Sequence, residues 1–298
     1  MNILITGVNG MLGNVIASHL AANYQVYGLD IQPEAKTPAE LEYFQCDVTD
    51  LAKLKKIGKI SEPLIIINCA AVTSVDGCET DYETAHEINV TGVKNLIEIS
   101  KIHNSHLIQI STDYIFDGTA GPYSEDDPAN PINNYGKTKL EAELAITQSD
   151  ISWTILRTNV LFSESLVEKA SFLSWVYQNL KKNEKISVVN DQFGNPTYVH
   201  NLAYAIEKII EQDAHGVFHY AGKDYLNRFE FALQIADTFD LDNRLINKTT
   251  TRSLKQKAPR PYKAGLKTNK IESELEIATF NIKDTLLTIK RAGEAENE

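Results

Sequence analysis

The sequence has few of the features that mark membrane proteins, disulfide-stabilised domains or metal sites. No apolar run approaches the roughly 20 residues of a membrane-spanning helix. The three cysteines, Cys46, Cys69 and Cys78, are odd in number and lack paired metal-ligand spacing, so buried reduced thiols are expected. The seven histidines are scattered without a His-x-x-x-His pattern, and no bound metal is expected.

Basic residues are fewer than acidic ones. The chain has 29 Lys and Arg and 40 Asp and Glu, which gives a formal net charge of −11. This balance argues against nucleic acid or an anionic membrane as a partner. No signal peptide is expected because the first residues already have the pattern of a strand, and the expected location is the cytoplasm. A chain of 298 residues suits one large domain or two closely joined ones.

The first positive signal is a glycine-rich turn between a short apolar run and an amphipathic helix. The spacing is G-x-x-G-x-x-G, at Gly7, Gly10 and Gly13. Gly7 permits a tight turn, Gly10 lets the backbone approach a pyrophosphate at the helix N-terminus, and Gly13 permits close helix–strand packing. Strand, glycine turn and helix in this order predict a dinucleotide-binding site, to which the helical residues Met11 and Leu12 also belong.

Asp30 indicates which dinucleotide is favoured. It ends the second expected strand, at residues 25–29. A carboxylate about 20 residues after such a turn can accept hydrogen bonds from both ribose hydroxyls of NAD, and it repels a 2′-phosphate. Asp30 therefore favours NAD(H), while NADP(H) stays possible. A glycine-rich turn without any ligand is the alternative interpretation.

Strands and helices alternate along the rest of the chain. Further strands are expected at residues 43–46, 64–67, 107–110, 153–156 and 217–220, and helices at residues 82–104, 135–148, 166–179, 199–212 and 228–239. This alternation predicts an α/β fold with a doubly wound parallel (Rossmann) sheet. We expect residues 1–160 to form an NAD(P)-binding domain. Residues 161–298 are expected to form mainly a smaller C-terminal substrate-binding domain, with some segments returning to the Rossmann core.

Tyr135 and Lys139 stand four residues apart in an expected helix, which places both side chains on one face. A phenol has a pKa near about 10 and is a poor acid or base at neutral pH. A fixed ammonium beside it is expected to lower that pKa. The pair could then exchange a proton with a carbonyl or an alcohol. Alone, the pattern fits a solvated polar helix face equally well.

Several segments, taken together, resemble the extended short-chain dehydrogenase/reductase family. They are the glycine turn, Asn68-Cys69-Ala70-Ala71, Asn89, Ser111-Thr112-Asp113-Tyr114 and Tyr135-x-x-x-Lys139. Longer segments at residues 111–118, 134–143, 191–199 and 258–261 are similar to the dTDP-4-dehydrorhamnose reductases within that family. The resemblance runs from the N-terminus to about residue 270.

The resemblance implies roles for individual positions. Thr112 matches the catalytic hydroxyl that hydrogen-bonds the reacting oxygen, Tyr135 matches the general acid, and Lys139 matches the group that holds the nicotinamide ribose. Asp113 matches a contact to the sugar, although a turn-stabilising carboxylate is a comparable alternative. Further cofactor contacts are implied beside the adenine at Asp47 and Val48, and beside the ribose and phosphates at Ala70, Ala71 and Thr73.

The implied activity is NAD(P)H-dependent reduction of the 4-keto group of a nucleotide-activated 6-deoxy sugar, in deoxysugar and cell-surface polysaccharide biosynthesis. The implied partner is a nucleotide-diphosphate sugar, and a homodimer is possible. Related dehydratases have Thr-Asp-Glu where this chain has Thr112-Asp113-Tyr114, so the glutamate needed for elimination of water is absent. A nucleotide-sugar epimerase and a non-catalytic subunit like the methionine adenosyltransferase beta subunit stay open as alternatives.

Two features bear on the substrate. The family pattern Arg-Thr-Ser-Trp is replaced by Arg-Thr-Asn-Val at residues 157–160, so Val160 takes the place of an aromatic contact to the sugar. A different 4-keto sugar or a different nucleotide is therefore implied. Arg260 is the preferred diphosphate ligand within a basic stretch at residues 252–267, because a guanidinium matches phosphate oxygens. A solvated basic loop is the alternative.

Overall fold

The computed structural model describes residues 1–37, 40–166 and 171–295. Its strands are β1 (Asn2–Thr6), β2 (Gln25–Asp30), β3 (Glu42–Gln45), β4 (Ile65–Asn68), β5 (His106–Thr112), β6 (Trp153–Thr158), β7 (Leu161–Phe162), β8 (Ile186–Val189), β9 (Phe193–Gly194), β10 (Thr197–Tyr198), β11 (Gly216–His219), β12 (Leu226–Asn227) and β13 (Ile246–Thr249).

The helices alternate with these strands through most of the chain. They are α1 (Met11–Leu20), α2 (Leu51–Ser61), α3 (Val75–Thr80), α4 (Tyr82–His86), α5 (Gly92–His103), α6 (Asn134–Thr147), α7 (Phe172–Lys181), α8 (Val199–Glu211), α9 (Arg228–Thr238), α10 (Thr251–Leu254), α11 (Asn269–Glu274) and α12 (Ile282–Ala295). Among the described residues, none of these helices combines the length and the apolar composition needed to cross a membrane.

Seven strands form one parallel sheet in the order β11-β6-β5-β4-β1-β2-β3. The order reverses at β1, from which the chain first moves outward through β2 and β3 and then returns to β4 on the other side. This arrangement confirms the predicted doubly wound α/β fold. The last strand, β11, comes from the second half of the chain and pairs in parallel with β6.

Alternating side chains of the central strands divide the core into two layers. In β1, Ile3 and Ile5 pack on the same side as α1 and α8, whereas Leu4 packs on the opposite side with α2, α5 and α6. Both faces of the strand are therefore buried, and its sequence is a continuous apolar run. The sheet thereby holds the ends of its strands in fixed positions.

A third apolar cluster lies in the second half of the chain. It is built mainly from α7, α9 and α12 packed around β8 and β13, a pair of parallel strands outside the large sheet. The predicted helix at residues 166–179 begins instead at Phe172, where Ser171 forms a capping box with Ser174. Residues 167–170 of that prediction lie outside the described residues.

The helix predicted at residues 82–104 is interrupted. A π-helical turn, Glu87–Thr91, separates α4 from α5 and contains Asn89, which is buried. The Asn89 amide accepts a hydrogen bond from the N–H of Val72 at 2.8 Å and donates to Thr138 Oγ1 at 3.0 Å. Asn89 thus fixes the loop after β4 against α6. Helical periodicity alone does not reveal such a turn.

Candidate active site

The carboxyl ends of β1, β4, β5 and β6 surround a cavity of about 440 Å³. Many of the residues predicted for catalysis, for cofactor binding or for contact with the sugar line this cavity: Gly7, Gly10, Met11, Leu12, Gly13, Ala71, Thr73, Thr112, Tyr135, Lys139 and Val160. Parallel strands bring their ends to one edge of the sheet, so residues from distant parts of the chain meet here.

A second cavity, of about 280 Å³, lies on the other side of the glycine turn. Its walls include the remaining predicted cofactor residues, Asp30, Asp47, Val48 and Ala70, together with Ala71. The two cavities share Gly7, Gly10, Cys69 and Ala71. Together they form one groove that crosses the turn, a shape that suits an extended dinucleotide with its pyrophosphate at the crossing.

The glycine turn leaves no room for side chains. Gly7 has a φ of 66°, and a Cβ added there would lie 2.7 Å from the backbone nitrogen of Ala70. A Cβ at Gly13 would lie 2.3 Å from the carbonyl oxygen of Gly7. Gly10 precedes α1 without a side-chain cap, so N–H groups of the first helical turn stay available for an anion. The residues present therefore fit a bound dinucleotide.

The Asp30 carboxylate is held at the wall of the second cavity. One of its oxygens accepts the N–H of Asn9 and the other accepts the N–H of Gln32, each at 3.1 Å. Both bonds are local, so the carboxylate is fixed at the end of β2 by its own strand and by the glycine turn. A carboxylate oxygen has more than one acceptor site, and both oxygens can therefore still receive ribose hydroxyls.

Tyr135 lies in the first turn of α6. Asn133 caps this helix, since its side chain accepts the N–H of Gly136 at 2.8 Å. A Cβ at Gly136 would lie 2.1 Å from the carbonyl oxygen of Tyr114, so the helix packs directly on the turn that follows β5. The ring of Tyr135 meets that of Tyr114 edge to face, with centroids 5.8 Å apart.

Thr112 is the last residue of β5 and is almost completely buried. Its hydroxyl donates to Asp113 Oδ1 and accepts the N–H of Tyr114, both at 3.2 Å. The second of these bonds caps the short 3₁₀ turn Asp113–Ile115. The hydroxyl is therefore held in a defined position on the wall of the first cavity.

Lys139 is buried deeper than a solvated helix residue would be, with 5% of its surface exposed. Its ammonium donates to the carbonyl oxygen of Ile110 at 2.7 Å. Burial lowers the pKa of Lys139 to about 8, against the opposing influence of Glu143 and Cys69. The alternative of a solvated helix face is thus wrong for Lys139.

The expected lowering of the Tyr135 pKa is also wrong for the protein by itself. Burial raises the pKa of Tyr135 well above its ordinary value, and the interaction with the Thr112 hydroxyl opposes that rise only in part. Lys139 is not among the largest influences on the Tyr135 pKa, and its ammonium donates to the carbonyl oxygen of Ile110. Desolvation of the phenolate outweighs attraction to a cation one helical turn away.

The Asp113 carboxylate does not line either cavity. It is 3% exposed and accepts hydrogen bonds from the hydroxyl of Thr112, the amide of Asn159 and the N–H of Gly265. Burial raises its pKa to about 6, and its hydrogen bonds and Arg228 oppose that rise. Asp113 therefore joins β5, the end of β6 and the segment around Gly265, which agrees better with the structural alternative for this residue.

Arg260 also lies away from both cavities. Its guanidinium pairs with Asp76 at 3.1 Å and donates to the carbonyl oxygen of Ala258 at 3.2 Å. A second guanidinium, that of Arg228, lies close enough to influence the pKa of Asp113 and Tyr114. Within the described residues Arg228 stacks on the Phe172 ring at 5.3 Å and has no hydrogen bond or ion pair from its side chain.

Two polar residues at the end of β6 are among the cavity residues that escaped the sequence-based prediction. Thr158 is the last residue of β6 and Asn159 follows it, and both are at least 95% buried. In the part of the chain that the structure describes, Thr158 Oγ1 and Asn159 Oδ1 are buried without a hydrogen-bond partner. The next residue, Val160, has a φ of 45°, a conformation that a β-branched residue rarely adopts. The only sequence signal was the departure from the family pattern at this point.

Comparison with known proteins gives matches along nearly the whole chain. The profile of the family described as "RmlD substrate binding domain" matches residues 1–291. A dTDP-4-dehydrorhamnose reductase from Aggregatibacter actinomycetemcomitans is 33% identical over 306 residues, covering 98% of this chain and 99% of that protein. Methionine adenosyltransferase 2 subunit beta from Xenopus tropicalis is 30% identical over 276 residues, covering 90% of this chain and 81% of the relative.

A solved structure extends the similarity to three dimensions. The crystal structure of a dTDP-4-dehydrorhamnose reductase from Bacillus anthracis, in complex with NADP, matches with a TM-score of 0.86 and 28% sequence identity. The match covers 96% of each chain. The similarity therefore includes the large sheet and also the helical cluster of the second half.

Proposed function

Because the chain belongs to the RmlD substrate binding domain family, we propose that it reduces the C4 ketone of a dTDP-linked 4-keto-6-deoxy sugar with NADH or NADPH. The observation that carries the proposal is the shared cavity beside the glycine turn. Thr112, Tyr135 and Lys139 all face this cavity, and Gly7, Gly10 and Gly13 form its floor. A hydroxyl, a phenol and an ammonium therefore lie together in the cavity where we propose that the nicotinamide ring binds.

The proposed chemistry divides between cofactor and protein. Bound NAD(P)H supplies a hydride to the ketone carbon. The Tyr135 hydroxyl donates a hydrogen bond to the ketone oxygen as negative charge develops there, and the Thr112 hydroxyl does the same when its proton turns away from Asp113 Oδ1. Tyr135 then transfers its proton to that oxygen, and the product is an alcohol. The raised pKa of Tyr135 keeps the phenol protonated, which is the form needed for reduction.

Lys139 is proposed to hold the ribose of the nicotinamide nucleotide. Its ammonium is already fixed by the carbonyl oxygen of Ile110, and two further N–H donors are available on the same nitrogen. The charge on Lys139 also favours the tyrosinate that remains after proton transfer. Because its pKa is about 8, this support is lost at alkaline pH.

NADH is proposed as the preferred cofactor. Asp30 lies in the wall of the second cavity, where its carboxylate can accept the ribose hydroxyls of the adenosine half. The same charge repels a 2′-phosphate at that position. Asp47 and Val48 line the same cavity and are proposed to contact the adenine, and Ala70, Ala71 and Thr73 the adjoining ribose and phosphates.

The sugar is proposed to bind beside Val160. The unpartnered oxygens of Thr158 and Asn159 are acceptors, which sugar hydroxyls can satisfy. The orientation of the Asn159 amide is fixed, because its nitrogen donates to the carboxylate of Asp113, which accepts in all its hydrogen bonds. The amide oxygen of Asn159 is therefore the atom that stays unpartnered. Val160 leaves more space than an aromatic side chain, so the pocket is proposed to accept a bulkier sugar than the family pattern implies.

The diphosphate is proposed to lie near Arg228 and Arg260. Both guanidiniums are near enough to Tyr114 to influence its pKa, and the Tyr114 ring packs edge to face on that of Tyr135. Arg228 has no ion pair within the described residues, so its full charge is available to a phosphate. In this proposal residues 1–160 bind the cofactor and residues 161–298 mainly bind the substrate.

We also propose that the protein forms a homodimer, which light scattering would test.

A turnover panel tests the proposed function. The purified chain would be mixed with 4-keto-6-deoxy sugars linked to dTDP, GDP, UDP or CDP, with NADH and NADPH in parallel. We expect steady oxidation of NADH with a dTDP-linked sugar. An epimerase would change the sugar without net oxidation of NADH, and the absence of turnover with all pairs would contradict a reductase.

A second candidate is a binding subunit without turnover, which the similarity to methionine adenosyltransferase beta subunits favours. In that case NAD(H) binding would persist, and no keto sugar would be reduced. Calorimetry with NADH, run beside the turnover panel, separates the two functions. Tight NADH binding together with zero turnover would support the binding subunit.

A further inference from the structure

The amino ends of the sheet strands carry a cluster of two imidazoles and one carboxylate. His106 is the first residue of β5, and Asp213 and His215 lie in the connection between α8 and β11. One potential ligand atom from each residue lies within 4.8 Å of those of the other two. We propose that these three side chains bind a divalent transition-metal ion of the zinc class, at the edge of the sheet opposite to the candidate active site.

Hydrogen bonding determines which nitrogen of His106 is unprotonated and can become a metal ligand by displacing the proton of a hydroxyl donor. The hydroxyl of Thr154 donates to the carbonyl oxygen of Ala214 at 2.5 Å, so its single proton is used there. The same hydroxyl lies 2.8 Å from His106 Nε2 and can only accept from it. Nε2 therefore carries the proton, and Nδ1 is the unprotonated nitrogen. A metal-bound histidine is usually fixed by a hydrogen bond of this kind from its other nitrogen.

The same reasoning extends to His215. Ser152 Oγ lies 2.6 Å from His106 Nδ1, to which it must donate, and 3.2 Å from His215 Nδ1, from which it can therefore accept. In neutral His215 the lone pair is then on Nε2, which lies 3.3 Å from the carboxylate oxygen of Asp213. Two acceptors at this distance repel one another unless a cation joins them. The cluster as a whole has an excess of acceptors.

The donor set matches the chemistry of zinc. Two imidazole nitrogens and one carboxylate oxygen are common zinc ligands, and the Ser152 hydroxyl or a water can complete a tetrahedron. His106 is buried. His215 and Asp213 are exposed, with 51% and 84% of their side chains accessible, so both can turn toward His106 Nδ1.

The ligands are far apart in sequence, which explains why the spacing of histidines gave no signal. They meet because β5 and β11 both pair with β6 and begin at the same edge of the sheet. A bound metal would connect the starts of these strands across β6. Its expected effect is on stability and not on turnover, because both cavities lie at the other ends of the strands.

Calorimetric titration of the tag-free, reduced full chain with Zn²⁺ tests the proposal. We expect saturable binding of one ion per chain and a rise in Tm with added Zn²⁺. The variants His215→Ala and Asp213→Asn should each weaken binding at least about tenfold. Both residues are exposed, so both variants should fold. The visible absorption of bound Co²⁺ provides a second readout, since nitrogen and oxygen ligation in a tetrahedron has a distinct spectrum.

His200→Ala is the matched control. This exposed imidazole lies 2.9 Å from Glu164, and so also forms an exposed histidine–carboxylate pair. Among the described residues, it is not part of a three-ligand cluster. Binding should be unchanged in this variant. The proposal is wrong if the native chain binds no Zn²⁺ saturably, or if binding survives both His215→Ala and Asp213→Asn.

Discussion

The glycine turn and the basic stretch at residues 252–267 are both predicted ligand sites, but they are fixed in different ways. In the turn, the constraints on Gly10 and Gly13 come from residues of the same strand–turn–helix unit, and only the constraint on Gly7 comes from the loop after β4. A side chain at Gly13 would collide with the carbonyl oxygen of Gly7 only a few positions earlier. Such constraints recur at a fixed spacing, and they leave a recognisable motif in the sequence.

The basic stretch is held by residues from distant parts of the chain. The N–H of Ala258 donates to Asp76 at 2.9 Å, and the carbonyl oxygen of Pro259 accepts from Asn133 at 2.9 Å. None of these partners has a fixed spacing from the stretch. The comparison teaches that the cofactor side of the site is set by local geometry, whereas the substrate side is set by tertiary contacts.

The largest expected effect concerns Tyr135, where the two sides meet. Tyr135→Phe removes the proposed acid, and kcat should fall about 10²- to 10⁴-fold, the usual contribution of general acid catalysis. NADH affinity, measured by fluorescence titration, should stay unchanged. The phenol is proposed to transfer a proton in the reaction, whereas the glycine turn is proposed to bind the cofactor. The control Tyr204→Phe alters an exposed phenol on α8. Turnover near normal in Tyr135→Phe would contradict the assignment.

The substrate side is tested by Arg228→Ala. Loss of a hydrogen bond to a charged group costs about 1.5–3 kcal/mol, which is roughly a 10- to 100-fold rise in KM for the dTDP-sugar. The dissociation constant for NADH should not change. Arg244→Ala, which removes an exposed guanidinium paired with Asp242, is the control. Equal losses of affinity for NADH and for the dTDP-sugar would contradict the proposal that separate sets of residues bind them.

The pH dependence tests Lys139. Its lowered pKa means that the ammonium is present below about pH 8 and is lost as the pH rises through that value. The kcat/KM for reduction should therefore fall about tenfold for each pH unit above this point, since it reports groups of the free enzyme. Tyr135 contributes no alkaline limb in this range, because its pKa is raised. Lys139→Met should be slow at every pH and lack the limb.

The smallest effect is expected on the cofactor side, at Asp30. Asp30→Ala should weaken NADH binding about fivefold, consistent with the loss of about 1 kcal/mol of net hydrogen bonding. The ratio of NADPH to NADH affinity should rise, because the repulsion of a 2′-phosphate is removed. Glu42→Ala, an exposed carboxylate on β3, is the control. An unchanged ratio of NADPH to NADH affinity would contradict the proposed role of Asp30 in selecting the cofactor.

The sequence predicted the sheet, and it predicted many of the residues that line the two cavities beside the glycine turn, because each depends on short-range patterns. Apolar runs define the strands, and a residue that follows a strand end is placed at the common edge of the sheet, as for Asp30 and Thr112. The substrate side did not follow from such patterns. Asp113 is turned into a buried network, and Arg228, which is only proposed here as a diphosphate ligand, was not singled out because its position depends on the packing of α9.

The pKa of Tyr135 could not be predicted from its spacing to Lys139. Spacing gives proximity along a helix, but the pKa depends on burial, and burial is a property of the folded chain. The π-helical turn at Glu87–Thr91 escaped for a similar reason. Apolar periodicity continues through it, while the contact of Asn89 with the loop after β4 forms only in the tertiary structure.

The central claim is that hydride passes from the nicotinamide to C4 of a sugar in the cavity that Tyr135 lines. The most direct measurement is the reduction of a dTDP-linked 4-keto-6-deoxy sugar with NADH that carries two deuterium atoms at C4, followed by NMR of the product. The account predicts one deuterium at C4 of the sugar for each NADH oxidised. A product without deuterium at C4, or no product while NADH binds, would contradict it.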